Sequence, residues 1–106
     1  MTAPAGTTQV PVRVPNTLRE LVGGERTVLV DIEGSDDTGT VTVAHVLDAL
    51  AVEYAALERR VRDELGRTRI HVNLFVGPDN IRDLDGLATP VAAGQELSII
   101  PAISGG

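Results

Sequence analysis

The 106-residue chain has no cysteine, no lysine and no tryptophan, and only two aromatic residues, Tyr54 and Phe75. Without cysteine there are no disulfides, thiolate metal sites, iron–sulfur clusters or persulfide chemistry on the chain. Without lysine there is no Schiff-base catalysis and no lysine acceptor for a modifier. Two aromatics do not make a base-stacking platform. No run of 18 apolar residues is present, so no membrane-spanning helix is expected. Met1–Thr8 carries neither a basic stretch nor an apolar segment, so no signal peptide is visible and a cytoplasmic location is expected. Positive charge is also scarce. Nine basic residues, all arginine, face 15 acidic ones, a formal net charge of −6 that repels nucleic-acid phosphate. Neither nucleic acid nor a membrane is expected as a partner.

What remains is one domain's worth of chain, 42% hydrophobic, enough for a single modest core. Residues 1–8 read as a disordered leader, 9–101 as the folded domain and 102–106 as a flexible tail. Val10, Val12 and Val14 alternate with Pro11 and Arg13, the period-2 mark of a half-buried strand. Leu18, Leu21 and Val22 suggest a short helical turn before Gly23-Gly24. Thr27 to Ile32 is β-branched, with Val28, Val30 and Ile32 on one face, and pairs with the first strand as a hairpin. Glu33 to Thr40 is a polar loop.

Val43, Val46, Leu47, Leu50 and Tyr54 recur at helical spacing after Thr42 or Thr40 as N-cap. Leu57, Val61 and Leu65 extend the stripe, as one helix or as two with a break near Ala55-Ala56, stopping at Gly66. Ile70 to Val76 alternates again. Val72, Leu74 and Val76 take one face, and His71, Asn73 and Phe75 the other. Gly77-Pro78-Asp79-Asn80 is a turn, and Ile81-Arg82 a short strand at best. Glu96 to Ile100 is the last strand, with Pro101 ending it. Strand, strand, helix, strand, short strand, strand is the β-grasp order: an α+β fold with a mixed sheet covered on one face by a helix. Leu47 and Leu50 should then meet Val12, Val30 and Leu74. The uncovered face should carry Arg13, Phe75, Ile100 and Leu29 as a partner-docking patch.

No catalytic constellation stands out. His45 reads as a helix-surface residue and His71 as a sheet-face residue, without the spacing of a metal site. Gly23-Gly24 lacks the neighbours of a phosphate loop. The acidic clusters Ser35-Asp36-Asp37 and Asp79, Asp83, Asp85 read as solvated turns, with no calcium-loop pattern. The unusual feature is Gly105-Gly106 at the end of the sequence. With eleven glycines in 106 residues, such a pair arises by chance about once in a hundred. A terminal glycine has no Cβ, so its carboxylate passes a narrow channel and approaches a phosphate closely. Once adenylated, that carboxylate becomes an electrophile from which a nucleophile displaces AMP.

These features resemble the ThiS/MoaD family of ubiquitin-like sulfur carriers. The resemblance spans about residues 10 to 106. It rests on Val72-Asn73-Leu74-Phe75-Val76, Ile81-Arg82, Gly86-Leu87-Ala88-Thr89 and the run Ser98-Ile99-Ile100-Pro101-Ala102-Ile103-Ser104-Gly105-Gly106. With Val14-Pro15, Leu18-Arg19 and Gly23-Gly24, these are most similar to the CysO-type subgroup, carriers of a cysteine-synthesis route. The leader and the loop around Ser35 to Gly39 look longer than usual, and Gly77-Pro78 stands where the family commonly has Asn and an acidic residue.

The resemblance implies a protein co-substrate rather than an enzyme, binding no cofactor stably. An E1-like enzyme would use ATP and magnesium to adenylate Gly106, and sulfur would replace AMP to leave a thiocarboxylate. The acceptor would be a cysteine synthase, a thiosugar or thiazole synthase, or the large subunit of a molybdopterin synthase. Ile103, Ser104 and Gly105 would thread the partners' active sites. The alternatives are a MoaD-like small subunit of molybdopterin synthase, a ubiquitin-like protein modifier, and a β-grasp binding module whose Gly-Gly is incidental.

Overall fold

Five strands form one mixed sheet in the order β2-β1-β5-β3-β4. The structure is a computed structural model, and it describes residues 8–32, 40–92 and 94–101. The expected leader up to Thr7, the loop from Glu33 to Gly39 with its Ser35-Asp36-Asp37 cluster, and Ala102, Ile103, Ser104, Gly105 and Gly106 lie outside the described residues.

The strands are β1 (Thr8–Arg13), β2 (Thr27–Ile32), β3 (Val72–Val76), β4 (Asp79–Asn80) and β5 (Leu97–Pro101). β1 and β2 form the expected antiparallel hairpin, with Val10 opposite Val30 and Val12 opposite Val28. Between them Asn16–Val22 is a 3-10 helix, as the Leu18, Leu21, Val22 spacing suggests. β5 lies between β1, to which it runs parallel, and β3, to which it runs antiparallel. The period-2 positions Val10, Val12, Val28, Val30, Ile32, Val72, Leu74, Val76, Leu97 and Ile99 are all buried on one face. The helices cover that face.

α1 (Val43–Glu53) starts at Thr42, whose Oγ1 accepts the His45 amide at 3.3 Å while His45 Nδ1 accepts the Thr42 amide at 3.0 Å. This is a reciprocal capping box with histidine in the place usually held by Glu or Gln. Val43, Val46, Leu47 and Leu50 are fully buried and join Val12, Val30 and Leu74 in one core. Thr89, the last residue of the Gly-Leu-Ala-Thr segment, is buried and serves the same helix end. Its carbonyl accepts the Val43 amide at 3.0 Å, and its hydroxyl accepts the Asp85 amide at 3.1 Å.

Four sequence expectations need correction. The break near Ala55-Ala56 is present, at Tyr54 (φ −133°, ψ 61°), but α2 (Ala55–Val61) ends four residues before Leu65, which is exposed rather than on the stripe. The cause is local. Asp63 Oδ1 accepts the amides of Leu65 and Arg67 at 2.9 and 3.0 Å, offering the backbone an alternative to the next helical turn. Gly66 then takes φ +78°, which glycine adopts without strain.

β3 starts at Val72, so Ile70 is exposed and His71 sits in a turn rather than on the sheet. The short strand is Asp79–Asn80. Ile81–Asp83 is a 3-10 helix, because Asn80 Oδ1 caps the Arg82 amide at 2.9 Å.

Finally, Pro101 is the last residue of β5 rather than the stop just after it, and pairs with Val72. The Gly77 amide donates to the Glu96 carbonyl at 3.1 Å. Hydrogen-bonded and non-bonded pairs alternate in an antiparallel ladder. That phase makes Val72 and Pro101 a non-bonded pair, so the missing proline N–H removes no bond to β3.

Candidate functional site

Among the described residues, the face of the sheet away from the helices is open. Its central row runs Arg13, Ser98, Phe75, Asn80 across β1, β5, β3 and β4. The row beside it pairs Ile100 with Asn73. Alternation of side chains along each strand puts Arg13, Phe75 and Ile100 on this face, as expected from the sequence. Ile100 and Arg13 are exposed, whereas Phe75 is half-buried rather than fully exposed. Leu29 shares the face and is 53% exposed, but it belongs to the edge strand β2, opposite Pro11. Two strand spacings, about 10 Å, separate β2 from β5. Ser98 lies between Arg13 and Phe75 in the central row, Ile100 is next to Ser98 along this face of β5, and Leu29, three strands from Phe75, lies at the rim.

Where β5 reaches Pro101, the face dips into a groove lined by Arg13, Pro15, Arg19, Glu96, Ser98 and Ile100. Pro15 lies just before the 3-10 helix, whose turn brings Arg19 back to the end of β1. Arg19 Nε donates to the Val14 carbonyl at 3.0 Å and Nη1 to Asn16 Oδ1 at 3.3 Å. Two guanidinium groups thus flank the strand that leads to Gly106.

On the other side of β5, Arg82 secures the start of β3. Nη2 donates to the carbonyl of Val72 at 3.0 Å and to that of Arg69 at 3.3 Å, and Nη1 to Asn73 Oδ1 at 2.9 Å. β4 is only two residues long and cannot reach Val72; the guanidinium replaces the missing strand. Sequence reading did not single out Arg19 as a groove residue, nor Arg82 as a clamp. Arg19 had a local signal, a proline followed by a short helical turn. Arg82 had none, because its carbonyl partners lie ten and thirteen residues away.

The histidines are apart. His45 belongs to the α1 cap and borders a cleft with Asp31, Asp48 and Glu53, whereas His71 borders a concavity beside α2. Among the described residues no group of three or more His, Asp or Glu could hold a metal ion. No helix of the described chain is long and apolar enough to cross a membrane.

A five-stranded mixed sheet with its last strand at the centre, helices on one face and the other face open defines a β-grasp, ubiquitin-like protein. The ThiS family model matches residues 12–106, and the chain belongs to the ThiS family. It is 32% identical over 99 residues to the sulfur carrier protein CysO of Mycobacterium tuberculosis, covering 92% of this chain and 98% of that protein. It is 38% identical over 85 residues to small archaeal modifier protein 1 of Haloferax volcanii, covering 80% and 87%. The crystal structure of the Amycolatopsis orientalis BexX/CysO complex contains a chain that superposes with a TM-score of 0.74 at 30% identity, over 92% of this chain and 99% of that one. The CysO-like resemblance read from the sequence agrees with these likenesses.

Proposed function

We propose that the chain is a sulfur carrier whose C-terminal Gly106 is converted to a thiocarboxylate. An E1-like enzyme holding ATP and magnesium binds the open sheet face. The Gly106 carboxylate attacks the α-phosphorus of ATP and pyrophosphate leaves. A sulfur nucleophile from the activating system then attacks the acyl carbonyl and expels AMP. The thiocarboxylate is delivered to a biosynthetic enzyme, of which a cysteine synthase is the acceptor the CysO likeness favours. Ile103 sets the depth of insertion, Ser104 comes next, and Gly105 passes the narrowest part of the channel. The carrier acts as a co-substrate and keeps no cofactor of its own.

The observation that carries this reading is the family match running through residue 106. The central position of β5 supports it: the strand is paired with β1 at Leu97 and Ser98 and with β3 as far as Pro101, five residues before Gly106. Incubation with its activating enzyme, ATP and a sulfide source should raise the intact mass by the difference between one sulfur and one oxygen. The product should react with an alkylating reagent although the chain has no cysteine. Deleting Gly106 should abolish the product without lowering the melting temperature, and Gly105→Ala should be nearly as damaging. A protein lacking Gly106 that still transfers sulfur at the normal rate would refute the carrier reading.

The likeness to small archaeal modifier protein 1 favours a second reading, conjugation of Gly106 to lysines of other proteins. Isopeptide-linked Gly106 peptides in extracts of the source cells would support it. The chain has no lysine of its own, so it could not form chains on itself.

A further inference from the structure

Five of the nine arginines fall between residues 59 and 69 of a chain with a net charge of −6. Arg62 is turned inward. Its guanidinium is held by Glu58 at 2.6 Å and by Asp48 at 2.9 Å. The other four, Arg59, Arg60, Arg67 and Arg69, line one open concavity with His71 and a single carboxylate, Asp63. All four are exposed.

Asp63 offsets one of the four charges: it pairs with Arg67 Nε at 3.2 Å and accepts the Leu65 and Arg67 amides. Arg69 is braced by Nε on the Arg59 carbonyl at 2.7 Å, which leaves its terminal nitrogens for a ligand. The side chains of Arg59 and Arg60 have no hydrogen-bond or ion-pair partner among the described residues. Arg69, braced on the backbone, and the unpaired Arg59 and Arg60, gathered beside Arg67 on an acidic protein, form a positive recess suited to carboxylates.

The recess also has a meaningful position. Val72 is part of its wall, and Val72 is the residue paired with Pro101. From Pro101 the remaining five residues span at most about 18 Å. Any enzyme that takes Gly106 into its active site is therefore brought up against this edge of the sheet.

We propose that the Arg59, Arg60, Arg67, Arg69 recess is a second docking point for the activating enzyme, taking an acidic segment of its surface while the sheet face takes the apolar contact. The proposal rests on the carrier reading for the identity of the partner. A compact acidic segment fits better than a nucleic-acid backbone. The adjoining surface carries Asp48, Glu58 and Glu64, which would repel a long polyanion running past the recess.

The test is an R59E/R60E variant of the full chain, with R59Q/R60Q as the graded control and the melting temperature as the check on folding. Steady-state thiocarboxylation with the activating enzyme should show KM raised about tenfold by the reversal, less by the neutral variant, with kcat unchanged. Raising the salt concentration should raise the wild-type KM steeply and that of the reversed variant little. Calorimetric Kd between carrier and enzyme without ATP is measured in parallel. A Kd that rises on reversal supports the docking point even where no thiocarboxylate forms, an outcome that would instead sink the carrier reading. Unchanged KM and Kd in a folded R59E/R60E variant overturn the docking point, and so does salt-dependent binding of a labelled oligonucleotide lost on reversal while KM stays put.

Discussion

At the scale of single residues, the segment that links α2 to β3 depends on charge held in a particular state. Arg62 is partly desolvated, which disfavours its charged form, but the hydrogen bonds it donates to Glu58 and Asp48 and their attraction outweigh this and raise its pKa. It stays charged throughout the accessible range. Asp63 is the residue that titrates. The backbone hydrogen bond from Arg67 is the largest cause, partial desolvation opposes it, and the Leu65 amide and the Arg67 charge add to the lowering. A carboxylate with a lowered folded-state pKa contributes stability above its unfolded value and loses it as pH falls through the folded one. The Asp63 turn should therefore persist through the ordinary aspartate range and open only at more acidic pH. Amide exchange at Leu65 and Arg67, measured as a function of pH, checks this. Asp63→Asn should lower the protection factors there and make them nearly independent of pH across that window, while the core amides stay protected. If both amides open within the ordinary aspartate range in the wild type, the lowering is wrong.

At the scale of elements, what could be read from sequence was what repeats. The alternation of Val10, Val12 and Val14, and of Val72, Leu74 and Val76, identifies strand faces because burial has period 2 in a sheet. The Val43, Val46, Leu47, Leu50 spacing identifies the helix for the same reason at period 3.6. What could not be read was where a repeat is overruled by one side chain. Leu65 continues the apolar stripe by spacing, yet Asp63 captures two amides the helix would need. Ile81-Arg82 looks like a strand, yet Asn80 caps the Arg82 amide into a 3-10 helix. Pro101 reads as a stop, yet the phase of the ladder leaves room for it. The same holds for the candidate site: Arg13, Phe75 and Ile100 come from alternation, whereas the Arg82 clamp and the arginine recess depend on contacts across the fold. The helix register itself is testable. Leu50 is fully buried in the core against the sheet. Leu50→Ala should cost about 2–5 kcal/mol in chemical denaturation. A loss below about 1 kcal/mol would mean that α1 does not present this face to the sheet.

At the scale of the whole molecule, the architecture separates stability from presentation. The core lies entirely between the helices and one face of the sheet, so the opposite face is left for contact. β5 serves both sides: Leu97 and Ile99 are buried in the core, while Ser98 and Ile100 lie on the open face. Paired with β1 at Leu97 and Ser98 and with β3 as far as Pro101, it would hold its end in place in the proposed engagement of Gly106 by a partner. Phe75 is the place to test this separation, because it is the one aromatic on the open face and sits in the row between Ser98 and Asn80. Truncation of a fully buried phenylalanine costs about 3–5 kcal/mol, so a half-buried one that packs only against the open face should cost less than about 2. Phe75→Ala should therefore keep most of the stability yet raise KM for activation by the E1-like enzyme, with kcat little changed, since the contact is made equally before and during the chemistry. Ile100→Ala should act in the same direction. Leu29→Ala, on the distant edge strand, should have the smallest effect of the three. Equilibrium unfolding alongside steady-state activation kinetics reads both quantities on the same samples. A Phe75→Ala protein that melts far lower but is activated with the wild-type KM would place Phe75 in the core's service and leave the open face without its anchor.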